Sequence, residues 1–116
     1  MDSVDPSLIF ICRTDDVPDG QIRRFDYGGD CAIAIANVGG TFYAFDDRCT
    51  HGEASLAEDG QLIGHTVECG WHCGQFDLRS GEAIAAPCTI DLQIFAVTQH
   101  GGSLFVKTNE VATLSN

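Results

Sequence analysis

Positive charge is scarce in this 116-residue sequence. Six Lys and Arg residues stand against 17 Asp and Glu residues, so the formal net charge is −11. Such a surface would repel nucleic acid and anionic membranes. The composition therefore argues against a nucleic-acid-binding protein and favours partners with complementary basic patches. The same acidity also suits a protein that uses its charge only to stay in solution.

Long hydrophobic runs are also missing. The longest ones, such as CAIAIA at 31–36, are far shorter than the ~20 residues that a membrane helix needs. The N-terminal MDSVDPSLIF has neither the basic region nor the apolar core of a secretory signal. We therefore predict a cytoplasmic protein that does not use a membrane. In that reducing compartment, the six cysteines are expected to be ligands or buried thiols rather than disulfides.

Helical periodicity is the third absence, since no stretch repeats apolar residues at helical spacing over three turns. Short runs rich in β-branched and aromatic residues instead alternate with Gly-rich turns. This pattern predicts an all-β fold, an antiparallel β-sandwich or small barrel, as a single domain over residues 1–116. The predicted strands are LIFICR (8–13), QIRRF (21–25), CAIAIAN (31–37), TFYAF (41–45), TVEC (66–69), GQFDLR (74–79), LQIFAVT (92–98) and SLFVKT (103–108).

Residues 46–65 have little strand character and are expected to form a functional loop. Two short motifs flank this segment, CTH at 49–51 and CGWHCG at 69–74. Each supplies one Cys and one His, and these residue types bind zinc, copper or iron–sulfur centres. The candidate metal ligands are Cys49, His51, Cys69 and His72.

The spacing of these ligands discriminates between metal centres. A zinc finger pairs Cys with Cys and His with His, whereas here each motif mixes the two, as C-x-H and C-x-x-H. Mixed pairs are what a [2Fe–2S] cluster needs when two Cys bind one iron and two His bind the other. A structural zinc protein is therefore disfavoured.

CTHG at 49–52, followed by CGWHCGQFDLRSGE at 69–82, resembles the Rieske signature. The chain resembles in particular the small Rieske ferredoxins of bacterial aromatic ring-hydroxylating dioxygenase systems, over nearly its whole length. The resemblance implies a Rieske-type fold with a cluster-binding subdomain of two loops at about 46–87. It also implies one Rieske-type [2Fe–2S] cluster, with Cys49 and Cys69 on the buried iron, His51 and His72 on the outer iron, and Leu56 and Pro87 as cover.

The implied function is that of a one-electron carrier, not an enzyme. It would pass electrons from a flavin-containing, NAD(P)H-dependent ferredoxin reductase to a terminal ring-hydroxylating dioxygenase, and we expect a monomer. The alternative is a Rieske redox protein that serves another multicomponent oxygenase or reductase, or a redox sensor. An oxygenase is disfavoured because its iron site needs two His and one carboxylate, for which only His65 and His100 remain, and because 116 residues cannot hold the additional domain.

Four positions bear on the redox potential. High-potential relatives have an additional Cys in each cluster loop, and the two form a disulfide; here the matching residues are Ala54 and Trp71. Those relatives also have a Ser and a Tyr that donate hydrogen bonds to the cluster, where this sequence has Gly74 and Phe76. Fewer donors stabilise the reduced cluster less, so we predict a potential near the low end of the Rieske range, about −150 mV.

The remaining polar candidates are interpreted as structural. Cys73 lies beside a predicted ligand and is expected to be a small loop residue whose thiol turns aside. Asp46 and Asp47 precede the first motif and are either capping residues for its loop or solvated acids. Three cysteines are expected in the core and two histidines at the surface: Cys12, Cys31, Cys88, His65 and His100.

Overall fold

The computed structural model describes residues 8–26, 32–47, 55–69, 74–85 and 91–107. Within these ranges the chain forms strands, a 3-10 turn at Thr14–Asp16 and one α-helical turn, α1, at Leu56–Asp59. The strands are β1 (Leu8–Arg13), β2 (Ile22–Asp26), β3 (Ala32–Val38), β4 (Thr41–Asp46), β5 (Gln61–Ile63), β6 (Thr66–Glu68), β7 (Gln75–Asp77), β8 (Ala83–Ala85), β9 (Ile94–Phe95), β10 (Val97–His100) and β11 (Ser103–Lys107).

The described strands form three sheets in which neighbouring strands are antiparallel. The outer sheet has the order β1-β11-β10, the middle sheet β2-β3-β4-β9, and the distal sheet is the meander β5-β6-β7-β8. Gly39 and Gly40 have positive φ in the tight turn between β3 and β4, as the predicted hairpin requires.

Strand β3 is buried on both faces. Its side chains alternate, so Ile33 and Ile35 enter one hydrophobic core while Ala34 and Ala36 enter another. This explains why the sequence there is a continuous apolar run rather than an alternation of apolar and polar residues. The middle sheet consequently separates two cores.

The two cores differ in the sheets that supply them. The outer core lies between the outer and middle sheets and contains Cys12, Val17, Ile33, Ile35, Ala44, Phe95, Leu104 and Val106. The distal core joins the middle sheet to the distal sheet and to α1, and it contains Ile22, Ala34, Ala36, Phe45, Leu56, Val67, Cys69, Phe76, Leu78 and Leu92.

The predicted all-β, antiparallel fold is confirmed, and in the ranges that the structure describes the sheets are open rather than closed into a barrel. The predicted strands are present, except that the run at 92–98 is divided between β9 and β10. Strands β5 and β8 and helix α1 were not predicted. No helix among the described residues has the length and apolar character needed to cross a bilayer.

Candidate metal centre

Of the four predicted ligands, Cys69 lies in the described part of the chain, directly after β6. It is only 1% exposed and packs in the distal core, which also contains Leu56 and Phe76. Cys49, His51 and His72 lie outside the described residues, as do Cys73 and Pro87. Leu56, predicted to cover the cluster, is fully buried in the same core as Cys69.

The described residues around the first motif are tied together by Asp47 and Ser55, which stand on either side of segment 48–54. The Ser55 hydroxyl donates to Asp47 Oδ2 at 2.6 Å, and the Ala57 N–H donates to Asp47 Oδ1 at 2.8 Å. The Leu56 N–H donates to the Asp47 carbonyl at 2.7 Å. Asp47 is thus the predicted capping residue and not a solvated acid, since it is only 3% exposed.

Ser55 also begins α1. Its side chain accepts a hydrogen bond from the Glu58 N–H at 3.2 Å, as the N-cap of a helix does. Sequence reasoning missed this residue, although Ser-x-x-Glu at 55–58 is a recognised signal for a helix start. The helix therefore begins at the end of the segment that contains Cys49 and His51.

The second motif is held by a hairpin of β6 and β7. The Cys69 N–H donates to the Gly74 carbonyl at 2.7 Å, which closes segment 70–73 at its base. One position further along the hairpin, the Gln75 side chain donates to Glu68 Oε2 at 3.1 Å. Segment 70–73, which contains His72, thus begins and ends on residues fixed by strand pairing.

A third segment, 86–90, includes the predicted cover residue and is closed in a similar way. The Ala83 N–H donates to Asp91 Oδ1 at 3.0 Å, and the Leu92 N–H donates to the Gly81 carbonyl at 2.7 Å. Gly81 has φ +83° and an added Cβ would lie 2.3 Å from the Leu92 carbonyl oxygen, so only glycine fits. The role of Asp91 was not predicted, because nothing in the sequence around it shows that it reaches β8.

The three closures meet at one place in the fold. Leu56, Cys69 and Leu92 flank or adjoin the three segments, and all belong to the distal core. The described residues therefore bring the bases of both motif-containing segments and of segment 86–90 to one apolar cluster. This is the arrangement that a metal centre shared between two loops needs.

The other cysteine and histidine candidates behave as predicted where the structure describes them. Cys12 is buried, and burial together with the nearby Asp16 carboxylate raises the pKa of its thiol to about 11. A thiol that stays protonated is a poor metal ligand. His65 and His100 are exposed. Cys31 and Cys88 lie outside the described residues.

The turn between β7 and β8 follows the second motif. The Asp77 carboxylate accepts hydrogen bonds from the Arg79 guanidinium and from its N–H, and these bonds lower the pKa of Asp77. The turn lies on an exposed part of the hairpin, so this ion pair adds little to stability.

Comparison with known sequences identifies a family and two relatives to which this chain is similar. The family model described as the Rieske [2Fe-2S] domain matches residues 7–96. The ferredoxin component of the p-cumate 2,3-dioxygenase system of Pseudomonas putida is 52% identical over 99 residues, covering 85% of this chain and 84% of that protein. The 3-phenylpropionate/cinnamic acid dioxygenase ferredoxin subunit of Escherichia coli (strain K12) is 41% identical over 102 residues, covering 88% of this chain and 94% of that protein.

A solved structure is also similar to this chain over most of its length. A chain from the complex of reduced oxygenase and oxidized ferredoxin in carbazole 1,9a-dioxygenase superposes with a TM-score of 0.82 at 38% sequence identity. The superposition covers 90% of the chain described above and 95% of the solved one. Because almost all of both chains is matched, the similarity extends beyond a shared motif.

Proposed function

The chain belongs to the Rieske [2Fe-2S] domain family, and we propose that it is the ferredoxin of an aromatic ring-hydroxylating dioxygenase system. In this role it takes electrons from a flavin-containing, NAD(P)H-dependent reductase and passes them to a terminal oxygenase. The observation that supports this most directly is the match to relatives named as ferredoxin components over 84% to 94% of their own length.

The donor set fits a Rieske cluster. Cys69 offers a sulfur donor that is removed from water, and the first motif offers Cys49 and His51 from a segment whose ends are hydrogen-bonded together. We assign Cys49 and Cys69 to one iron and His51 and His72 to the other. When bound, such a cluster supplies a one-electron redox centre with a potential above that of an all-Cys cluster.

The chain's own residues control water and charge around that centre. Leu56, Phe76 and Leu78 are at most 1% exposed and form an apolar wall beside Cys69. Neither Gly74 nor Phe76 has a hydroxyl to donate, so the wall gives little stabilisation to added negative charge. The proposal therefore includes a midpoint potential of about −150 mV.

The protein is an electron-transfer component and not itself an enzyme. This is supported by relatives that are named as ferredoxin components or subunits of dioxygenase systems. We further propose that the chain works as a cytoplasmic monomer, with residues 1–116 as one domain and a cluster-binding subdomain at about 46–87. The shared strand β3, buried in both cores, supports treating the sheets as one folding unit.

Reconstitution tests the proposed function. The purified protein, reduced with dithionite, should show the EPR spectrum of mixed His/Cys ligation. A redox titration should give a midpoint potential of about −150 mV. Added to the reductase and oxygenase of the p-cumate 2,3-dioxygenase system, it should restore hydroxylation that is absent without a ferredoxin. If the protein shows a Rieske-type spectrum but supports hydroxylation by no aromatic dioxygenase, the alternative of another redox partner is favoured.

Substitution of the histidines tests the ligand assignment. His51→Gln and His72→Gln should each abolish the Rieske-type spectrum, because each removes an iron ligand. His65→Gln and His100→Gln are matched controls, since both side chains are exposed, and should leave it unchanged. Retention of the spectrum in His51→Gln or His72→Gln would contradict the assignment.

A further inference from the structure

Asp47 is a buried carboxylate that the assigned ligands do not include. At 3% exposure it is shielded from water, and an ionised carboxylate in that position is costly unless it is well paired. Both of its oxygens accept short hydrogen bonds, one from the Ser55 hydroxyl and one from the Ala57 N–H. The Arg24 guanidinium lies 3.8 Å from Oδ2 and adds a positive charge nearby.

The main chain of Asp47 is fixed as firmly as its side chain. Its N–H donates to the Ala32 carbonyl at 3.2 Å, on β3, and its carbonyl accepts from the Leu56 N–H at 2.7 Å. One residue thus joins the middle sheet, the end of segment 48–54 and the start of α1. Arg24 also lies 3.7 Å from Glu58 of α1, but both of these side chains are exposed and the pair adds little to stability.

The two ends of segment 48–54 are therefore held together by a side-chain pair in addition to a main-chain bond. The segment contains Cys49 and His51, two and four residues after Asp47. The base of segment 70–73 is closed differently, by main-chain pairing of Cys69 with Gly74. The disulfide that links the two loops in high-potential relatives is excluded here by Ala54 and Trp71.

We propose that Asp47 and Ser55 form a clamp, referred to as the Asp47 clamp, that positions the segment with Cys49 and His51 for cluster binding. The inference rests on the proposed function, because it takes those residues as iron ligands. The clamp acts on the cluster through the loop, so Asp47 and Ser55 are positioning residues. Groups that orient ligands in this way affect metal retention and electronic properties even though they do not touch the metal.

Four substitutions separate the clamp from the charge of Asp47. Asp47→Ala removes both acceptors and leaves the Ala57 N–H without its partner. Asp47→Asn keeps an acceptor for Ala57 and an amide that can donate to Ser55 Oγ, but it removes the negative charge. Ser55→Ala removes the hydroxyl, and Ser55→Thr retains one. Asp26→Asn is a matched control, because Asp26 also pairs with Arg24 but its side chain is 72% exposed.

The experiment follows the cluster in the purified holoprotein. Release of iron to a chelator should be about 10- to 100-fold faster in Asp47→Ala, the range that loss of an orienting group costs a metal site. The EPR g-values of the reduced protein should shift in the same variant. Ser55→Ala should show a smaller effect in the same direction, and Ser55→Thr should recover the original behaviour. Asp26→Asn should release iron at the wild-type rate, and Asp47→Asn, which can keep both hydrogen bonds, should release iron more slowly than Asp47→Ala.

Two outcomes would overturn the clamp. One is an Asp47→Ala protein that keeps both the wild-type release rate and the wild-type g-values. If Asp47→Ala does not fold, as judged by circular dichroism, the Ser55 variants decide, and equal release from Ser55→Ala and wild type overturns the clamp. Failure of the ligand assignment is distinguishable, because the wild-type protein itself would then lack the Rieske-type spectrum. Failure of the proposed partner system would leave that spectrum, and with it the test of the clamp, unchanged.

Discussion

Phe76 is a side chain at which the predicted low midpoint potential of this ferredoxin can be tested. It lies in β7, two residues after Gly74, and it is fully buried in the core that also contains Cys69. High-potential relatives have a tyrosine at the matching position, and its hydroxyl donates a hydrogen bond to the cluster. The two rings differ by one oxygen atom, so the packing can stay the same while the stabilisation of added charge changes.

Phe76→Tyr should raise the midpoint potential. A new hydrogen bond that favours the reduced form by about 1.4 kcal/mol corresponds to a shift of about 60 mV for a one-electron couple. Phe95→Tyr is a suitable control, because it adds the same hydroxyl to the outer core on the other face of the middle sheet. Redox titration of both variants checks the prediction, and an unchanged potential in Phe76→Tyr with the cluster still bound would contradict it.

At the scale of elements, the sequence predicted most strands but missed β5, β8 and helix α1. Strands β1, β3 and β4 each have at least six residues with clear β-forming composition, so local pattern was enough. Strands β5 and β8 have three residues each, and unlike the equally short β6 and β7 they do not lie within a longer predicted run such as TVEC or GQFDLR. Helix α1 is a single turn held by Ser55 and Asp47, and a turn that depends on tertiary contacts leaves no periodic signal.

The same limit applies to the site. The two Cys–His motifs predicted the ligands, because ligand type and spacing are local properties of the sequence. The sequence alone could not decide whether Asp47 is a capping residue or a solvated acid, because the two look alike in a sequence. Its contacts with Ser55 and Ala57 identify it as a capping residue. Asp91 was missed because its partner is Ala83, on a strand that the pattern did not reveal.

Gly81 offers a test of how the β7–β8 hairpin is joined to the chain after segment 86–90. Gly81→Ala should destabilise the fold by about 1–2 kcal/mol for its positive φ and by a further about 1–3 kcal/mol for the contact with the Leu92 carbonyl. Gly64→Ala is the matched control, because Gly64 has φ +60° and no heavy atom within 4 Å of the added Cβ. Denaturant unfolding of both variants measures the difference, and equal losses would show that the contact with Leu92 is relieved without cost.

At the scale of the whole molecule, the dominant property is the net charge of −11. Electron carriers meet their partners through small, short-lived interfaces, in which long-range attraction increases the rate of encounter. The acidic residues are distributed over the fold rather than gathered in one tail. Asp59 is exposed at the end of α1, the helix that follows segment 48–54 in the chain, whereas Asp15 is exposed in the 3-10 turn beside the outer sheet.

Electron transfer with a partner that has a basic docking surface should therefore slow as salt is added. Raising the ionic strength from about 0.01 M to about 1 M shortens the screening length from about 30 Å to about 3 Å, and the bimolecular rate constant should fall at least about tenfold. Asp59→Asn should lower the rate constant at low salt and make its salt dependence shallower, because the lost charge lies on the helix that follows the segment containing His51. Asp15→Asn removes the same charge from the other side of the middle sheet and should have the smaller effect. Stopped-flow measurement of reduction by the reductase distinguishes the two variants. Equal effects would mean that the net charge, and not the presence of a charge on the helix after segment 48–54, steers the encounter.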